Sequence, residues 1–101
     1  MCTRKECFDR LHAAAPYIKK EYGVKSMRVF GSMARGDNHE GSDVDIFVEM
    51  PSADPFKSID LQLYLEDILG VDVDLICKHR HMNAFFISQI EKDGIYVIHE
   101  S

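Results

Sequence analysis

The chain has 101 residues, 46% of them hydrophobic, enough for one modest core and one domain over 1–101. A net charge of −5 argues against a general nucleic-acid binder, which needs a basic face to displace counterions from phosphates, and leaves room only for a local basic patch. No stretch approaches the roughly 20 apolar residues that span a bilayer, and the N-terminal Met-Cys-Thr-Arg-Lys-Glu-Cys lacks the apolar segment of a signal peptide, so a cytoplasmic protein with no membrane contact is expected.

Thr3 to Tyr22 reads as a helix. Thr3 and Glu6 have capping-box spacing, Phe8, Leu11, Ala15, Ile18 and Tyr22 form one apolar stripe, and Gly23 follows as a C-terminal cap. Pro16 predicts a kink, or a second helix starting near Ala15. Val24 to Phe30 leads into a first strand, and Ser32 to Arg35 into a turn or short helix. Gly36 to Gly41 is a polar, glycine-flanked loop in which His39 is solvated and the tripeptide Arg35-Gly36-Asp37 is chance. Asp43 to Met50 is a second strand. Phe56 to Leu69 follows as a helix with Asp54 as N-cap and Pro55 at its first position. Its apolar face is drawn from Ile59, Leu61, Leu63, Leu65, Ile68 and Leu69, and Gly70 closes it.

Val71 to Cys77 is a third strand, with Asp72 and Asp74 on one face and Val71, Val73 and Leu75 on the other. Lys78 to His81 reads as a solvated turn, with a basic lip for polyphosphate or an acidic partner as the functional alternative. Asn83 to Lys92 is a helix with Phe85, Phe86, Ile87 and Ile90 as core, and Ile95 to His99 a last strand at a sheet edge. Cys2, Cys7 and Cys77 lack metal-ligand spacing and read as reduced thiols. This order predicts an α/β (α+β) fold in which helices pack on one small mixed sheet.

The chemistry concentrates between Met27 and Glu49. The apolar run Met27 to Phe30 stops at Gly31-Ser32; ten residues later come Asp43 and Asp45, followed by Ile46-Phe47-Val48. Glycine at a strand-to-helix junction lets backbone approach a phosphate, and a helix start offers unpaired N–H groups to an anion. Asp43 and Asp45 are two apart on a strand, so both point to one face. Paired carboxylates beside a phosphate cradle suit Mg²⁺ carrying a nucleoside triphosphate, because Mg²⁺ takes hard oxygens from carboxylates, phosphates and water.

Gly31-Ser32-Met33-Ala34-Arg35-Gly36 with Ser42-Asp43-Val44-Asp45 resembles the signature of the DNA polymerase β-like nucleotidyltransferases, and in particular their minimal nucleotidyltransferase (MNT) branch. The resemblance covers nearly the whole chain. It implies a mixed sheet of that superfamily's kind, and a third acid in a glycine-led Val-Asp-Leu-Val segment. Val73-Asp74-Leu75-Ile76 matches that segment best, which selects Asp74 over Asp72. Catalytic and metal-binding roles are therefore expected at Asp43, Asp45 and Asp74, and nucleotide binding at Gly31, Ser32, Arg35 and Ser42. Arg35 either neutralises phosphate charge or is an exposed structural arginine.

Three grouped carboxylates repel one another unless cations occupy the site. Two Mg²⁺ ions would resolve this and stabilise the attacking and leaving oxygens of an in-line displacement. Asp74 is placed to act as general base or to orient the nucleophile. The expected reaction is nucleotidyl transfer with release of pyrophosphate. The chain ends soon after Asp74, so the acceptor is expected to be gripped by a partner, by a second copy, or to be the partner itself. The MNT resemblance implies ATP as donor and a HEPN-domain RNase toxin as partner in a hetero-oligomer. Adenylylation of a toxin tyrosine would make this chain an antitoxin. A small-molecule nucleotidyltransferase working with a separate helical subunit, and a non-catalytic antitoxin acting by binding alone, are the alternatives.

Overall fold

The computed structural model describes residues 3–36, 43–50, 55–78 and 82–99. The element order is α1 (Arg4–Tyr22), β1 (Ser26–Phe30), α2 (Gly31–Arg35), β2 (Val44–Glu49), α3 (Pro55–Leu69), β3 (Val73–Cys77), α4 (Ala84–Asp93) and β4 (Ile95–Ile98). The strands form one sheet in the order β3-β2-β1-β4. β1 runs antiparallel to β2 and β4, while β2 and β3 are parallel and are joined across the sheet by α3. The mixed α/β architecture and the edge position of β4 agree with the sequence.

α1 begins with the expected capping box. Thr3 accepts from the Glu6 backbone N–H, Glu6 accepts from the Thr3 N–H, and Gly23 caps the other end in the left-handed conformation. Pro16 does not start a new helix: α1 is one helix from Arg4 to Tyr22 with Pro16 inside it. Pro16 and His12 are both exposed, so water can serve the His12 carbonyl that proline cannot reach.

Alternation along the strands divides the sheet into two faces. Met27, Val29, Val44, Ile46, Val48 and Val73 are buried on one face against α1 and α3. From α1 the core takes Cys7, Leu11 and Ile18; from α3 it takes Leu61, Leu65 and Leu69, four residues apart on one stripe. Each such leucine contributes roughly 2 kcal/mol by leaving water. Ile59 and Leu63, assigned to that face from sequence, are instead 55% and 59% exposed, because they lie off the 61-65-69 stripe. Phe85 is likewise exposed, whereas Ile90 of the same helix is buried.

Two further expectations change. Cys7 is disulfide-bonded rather than reduced, while Cys77 is a free thiol; residue count and spacing do not reveal which thiols the fold brings within bonding reach. The Asp54 cap, His39 and His79 to His81 lie outside the described residues. No described helix is long and apolar enough to cross a membrane.

Candidate active site

The second face of the sheet carries Arg28 and Phe30 from β1, Asp45 and Phe47 from β2, Asp74 and Ile76 from β3, and Tyr96 from β4. Register sets the site. Phe30 pairs with Asp45, and Asp45 pairs with Asp74, so these three lie in one row across three adjacent strands. Neighbours in such a row stand about 4.8 Å apart. Asp43 lies two residues before Asp45, just before β2 begins, and its charge acts on the Asp45 carboxyl. Asp72 precedes β3, and its carbonyl accepts from the Val44 N–H at 3.0 Å. That bond and one from the Val73 N–H to Glu66 Oε2, 3.1 Å, fix where β2 and β3 begin. The register therefore places Asp74, rather than Asp72, beside Asp45.

Asp45 is half-buried, while Asp43 and Asp74 are exposed. Burial holds the Asp45 carboxyl above the usual carboxylate range, and the charges of Asp74 and Asp43 push it further; Arg35 pulls it back. Arg35 thus faces the acids electrostatically from the end of α2. Among the described residues, no three His, Cys, Asp or Glu side chains are grouped closely enough to hold a metal ion by themselves. What the row offers is a set of hard oxygen donors with excess negative charge. This fits Mg²⁺, which keeps water and substrate phosphate among its ligands instead of requiring an all-protein shell.

Gly31 joins β1 to α2 with φ +71°. A Cβ there would fall on the Asp45 carboxylate oxygen and lie 3.2 Å from its Cγ. The junction thus needs glycine both for its backbone angle and for the room the acid takes. No side chain caps the N-terminus of α2. Its other end is closed by Gly36 in the left-handed conformation, whose N–H donates to the Ser32 carbonyl at 2.9 Å. Arg4 reaches across from α1 and donates from Nε to the Met33 carbonyl at 2.8 Å and from Nη2 to the Ala34 carbonyl at 3.3 Å.

The structure thus brings together Gly31, Ser32, Arg35, Asp43, Asp45 and Asp74. Ser42 lies outside the described residues. Lys78 is at the opposite end of β3 from Asp74, with its ammonium 3.7 Å from Glu49. Two contributions escaped sequence reasoning. Phe30 and Phe86 meet edge to face at 6.0 Å and wall the row beside Asp45; Phe86 read simply as core. Arg4 could have been noticed as a cation in the first turn of a helix, where the helix dipole favours an acid.

Residues 12–97 match the family model described as a nucleotidyltransferase domain. The chain is 43% identical over 100 residues to the protein adenylyltransferase MntA of Thermococcus cleftensis, covering 96% of this chain and 98% of that one. Its fold superposes on a solved candidate minimal nucleotidyltransferase with a TM-score of 0.81 and 29% identity, over 93% of this chain and 95% of the other. It also shares the fold of a chain in the complex of a tri-AMPylated Shewanella oneidensis HEPN toxin with an MNT antitoxin. There the TM-score is 0.65 and the identity 19%, over 91% of this chain and 72% of that one. The chain belongs to the nucleotidyltransferase-domain family, as a minimal nucleotidyltransferase homologous to the protein adenylyltransferase MntA.

Proposed function

We propose that this chain transfers AMP from ATP to a hydroxyl of a partner protein, a tyrosine of a HEPN RNase toxin, and so acts as that toxin's antitoxin. The observation that carries the reading is the in-register pair Asp45 and Asp74 beside Gly31 at the uncapped start of α2. An acid row and the uncapped backbone N–H groups of a helix start lie side by side there, and nucleotidyl transfer needs both, the first for a metal and the second for phosphate.

In this reading Asp43, Asp45 and Asp74 would hold Mg²⁺ together with water and substrate phosphate, and the ion would supply positive charge against the triphosphate and the leaving pyrophosphate. The N–H groups at the start of α2 and the Ser32 hydroxyl hold the β and γ phosphates, with Ser42 a further nucleotide contact. Arg35 offsets phosphate charge. Asp74 accepts the proton of the acceptor hydroxyl, whose oxygen attacks the α phosphorus. The new P–O bond forms as the bond from the α phosphorus to the bridging oxygen breaks, and pyrophosphate leaves.

Two relationships support the partner. The Thermococcus relative is named a protein adenylyltransferase, and the Shewanella complex pairs a fold of this kind with an AMPylated HEPN toxin. The negative charge of this chain suits a partner whose RNA-binding site is basic. The test is intact-mass spectrometry of a HEPN partner after incubation with this chain, ATP and Mg²⁺, followed by peptide mapping. Addition of adenylyl groups to a tyrosine is expected. Suppressed toxicity with no added mass would establish the binding-only alternative instead.

A further inference from the structure

We infer that Arg4, outside the catalytic row, is a positioning residue that holds α2 in its nucleotide-receiving orientation. The inference rests on the reading of α2 as the phosphate-holding element. α2 has only five residues, Gly31 to Arg35; its first residue, Gly31, and the residue after it, Gly36, both have positive φ. A helix this short has few intrahelical bonds, and its last carbonyls are orphans. Arg4 takes two of them, those of Met33 and Ala34, through two nitrogens of one guanidinium. A planar fork engaging two successive carbonyls fixes direction as well as distance, which an ammonium cannot do.

The placement of Arg4 runs against local preference. It is the first residue of α1, where the positive end of the helix dipole disfavours a cation. At the C-terminal end of α2 the same charge is favoured. A residue that breaks a rule in its own helix while satisfying a neighbouring one points to a role in the neighbour. The guanidinium also stands 5.1 Å from the Phe8 ring centroid, one turn further along α1. The consequence is mechanical. Met33 and Ala34 are anchored, so Ser32 on one side and Arg35 on the other are held facing the acid row.

α1 carries its own control. Arg10 donates from Nη1 to the Ile68 carbonyl at 3.1 Å, near the C-terminal end of α3. Arg10 thus does for α3 what Arg4 does for α2, away from the acids. Arg4→Met, Arg4→Lys and Arg10→Met should be compared in the full chain for thermal stability, Mg·ATP binding by calorimetry, and steady-state AMP transfer to the HEPN partner.

Arg4→Met is expected to raise the ATP Kd and KM about five- to tenfold, the scale of losing charge-assisted hydrogen bonds, with kcat changed less than about twofold. Arg4→Lys should recover only part of the loss. Arg10→Met should lower the melting temperature with Kd and KM unmoved. If Arg4→Met binds ATP as Arg10→Met does, the positioning role is overturned while the transferase reading stands. If the wild type transfers no AMP but Arg4→Met still weakens Mg·ATP binding selectively, the positioning role holds and the transferase reading fails. If the wild type binds no Mg·ATP, both fall.

Discussion

The Asp45 carboxylate occupies the volume that a side chain at Gly31 would fill. One glycine therefore serves two needs. It takes the left-handed angle that turns β1 into α2, and it lets the innermost acid of the row lie directly beneath that turn. Strand end, helix start and carboxylate come within one contact of each other, so the start of α2 and the acid row are built as a unit.

Gly31→Ala should damage both parts. Holding an L-residue at a positive φ costs about 1–2 kcal/mol, and the displaced Asp45 carboxylate adds to that. We expect a loss of about 2–3 kcal/mol in urea denaturation and near-complete loss of AMP transfer. A loss no larger than the backbone strain alone would show that Asp45 can withdraw freely from the junction.

Asp45→Asn should separate stability from function. In the folded chain the Asp45 carboxyl is raised above its ordinary value, first by burial and then by Asp74 and Asp43. A raised pKa means that the folded state binds this proton more tightly than the unfolded state. The resulting stability is present below the unfolded pKa and lost as pH rises through the folded one. At neutral pH the ionised group opposes folding. Removing its charge should raise the apo melting temperature, by about 1–3 °C given its partial exposure. Mg·ATP should stabilise the wild type and not the variant. For the wild type, Mg²⁺ affinity should begin to fall at a higher pH than an ordinary carboxylate would give, because protonated Asp45 cannot act as a ligand.

The strands and acid row were legible because they rest on local patterns. Strand alternation gives Asp45 and its buried neighbours their faces, and Gly31-Ser32 marks the junction. What the sequence left open depends on geometry between elements. Ile59 and Leu63 are as apolar as Leu61 and Leu65, and only the angle at which α3 meets the sheet decides which pair is buried. The bond from Arg4 to α2 spans thirty residues and has no signature in either segment alone. Pro16 misled in the opposite direction, since a local rule predicted a break that solvent exposure and the packing of Leu11 and Ile18 override.

That override has a measurable residue. Pro16 lies inside α1, is exposed, and leaves the His12 carbonyl without its helical donor. Pro16→Ala restores the N–H and the better helix former. It should stabilise the chain by about 1–3 kcal/mol in urea denaturation, within the propensity difference between the two residues. AMP transfer should be unchanged, because Pro16 lies twelve residues along α1 from Arg4, on a helix that packs against the face of the sheet opposite the acid row. No gain would mean that α1 is strained at Pro16 for another reason.

Asp72 and Asp74 provide the sharpest test of the register. They share sheet-face parity, so alternation cannot tell them apart; position along the strand can. Asp74 pairs with Asp45 and contributes to raising its carboxyl pKa, whereas Asp72 stands one pair further out, before β3 begins. The Asp72 backbone holds β2 through its carbonyl, which Asp72→Asn leaves intact. Asp74→Asn should therefore lower kcat by about 10²-fold or more, the scale of a lost general base. Asp72→Asn should keep most of the activity and the fold. The acceptor hydroxyl must lose its proton, so the deficit in Asp74→Asn should shrink as pH rises and the hydroxyl ionises unaided. A pH-independent deficit would assign Asp74 to metal binding alone, and a larger loss in Asp72→Asn would mean that the working row lies one residue pair nearer the start of β3.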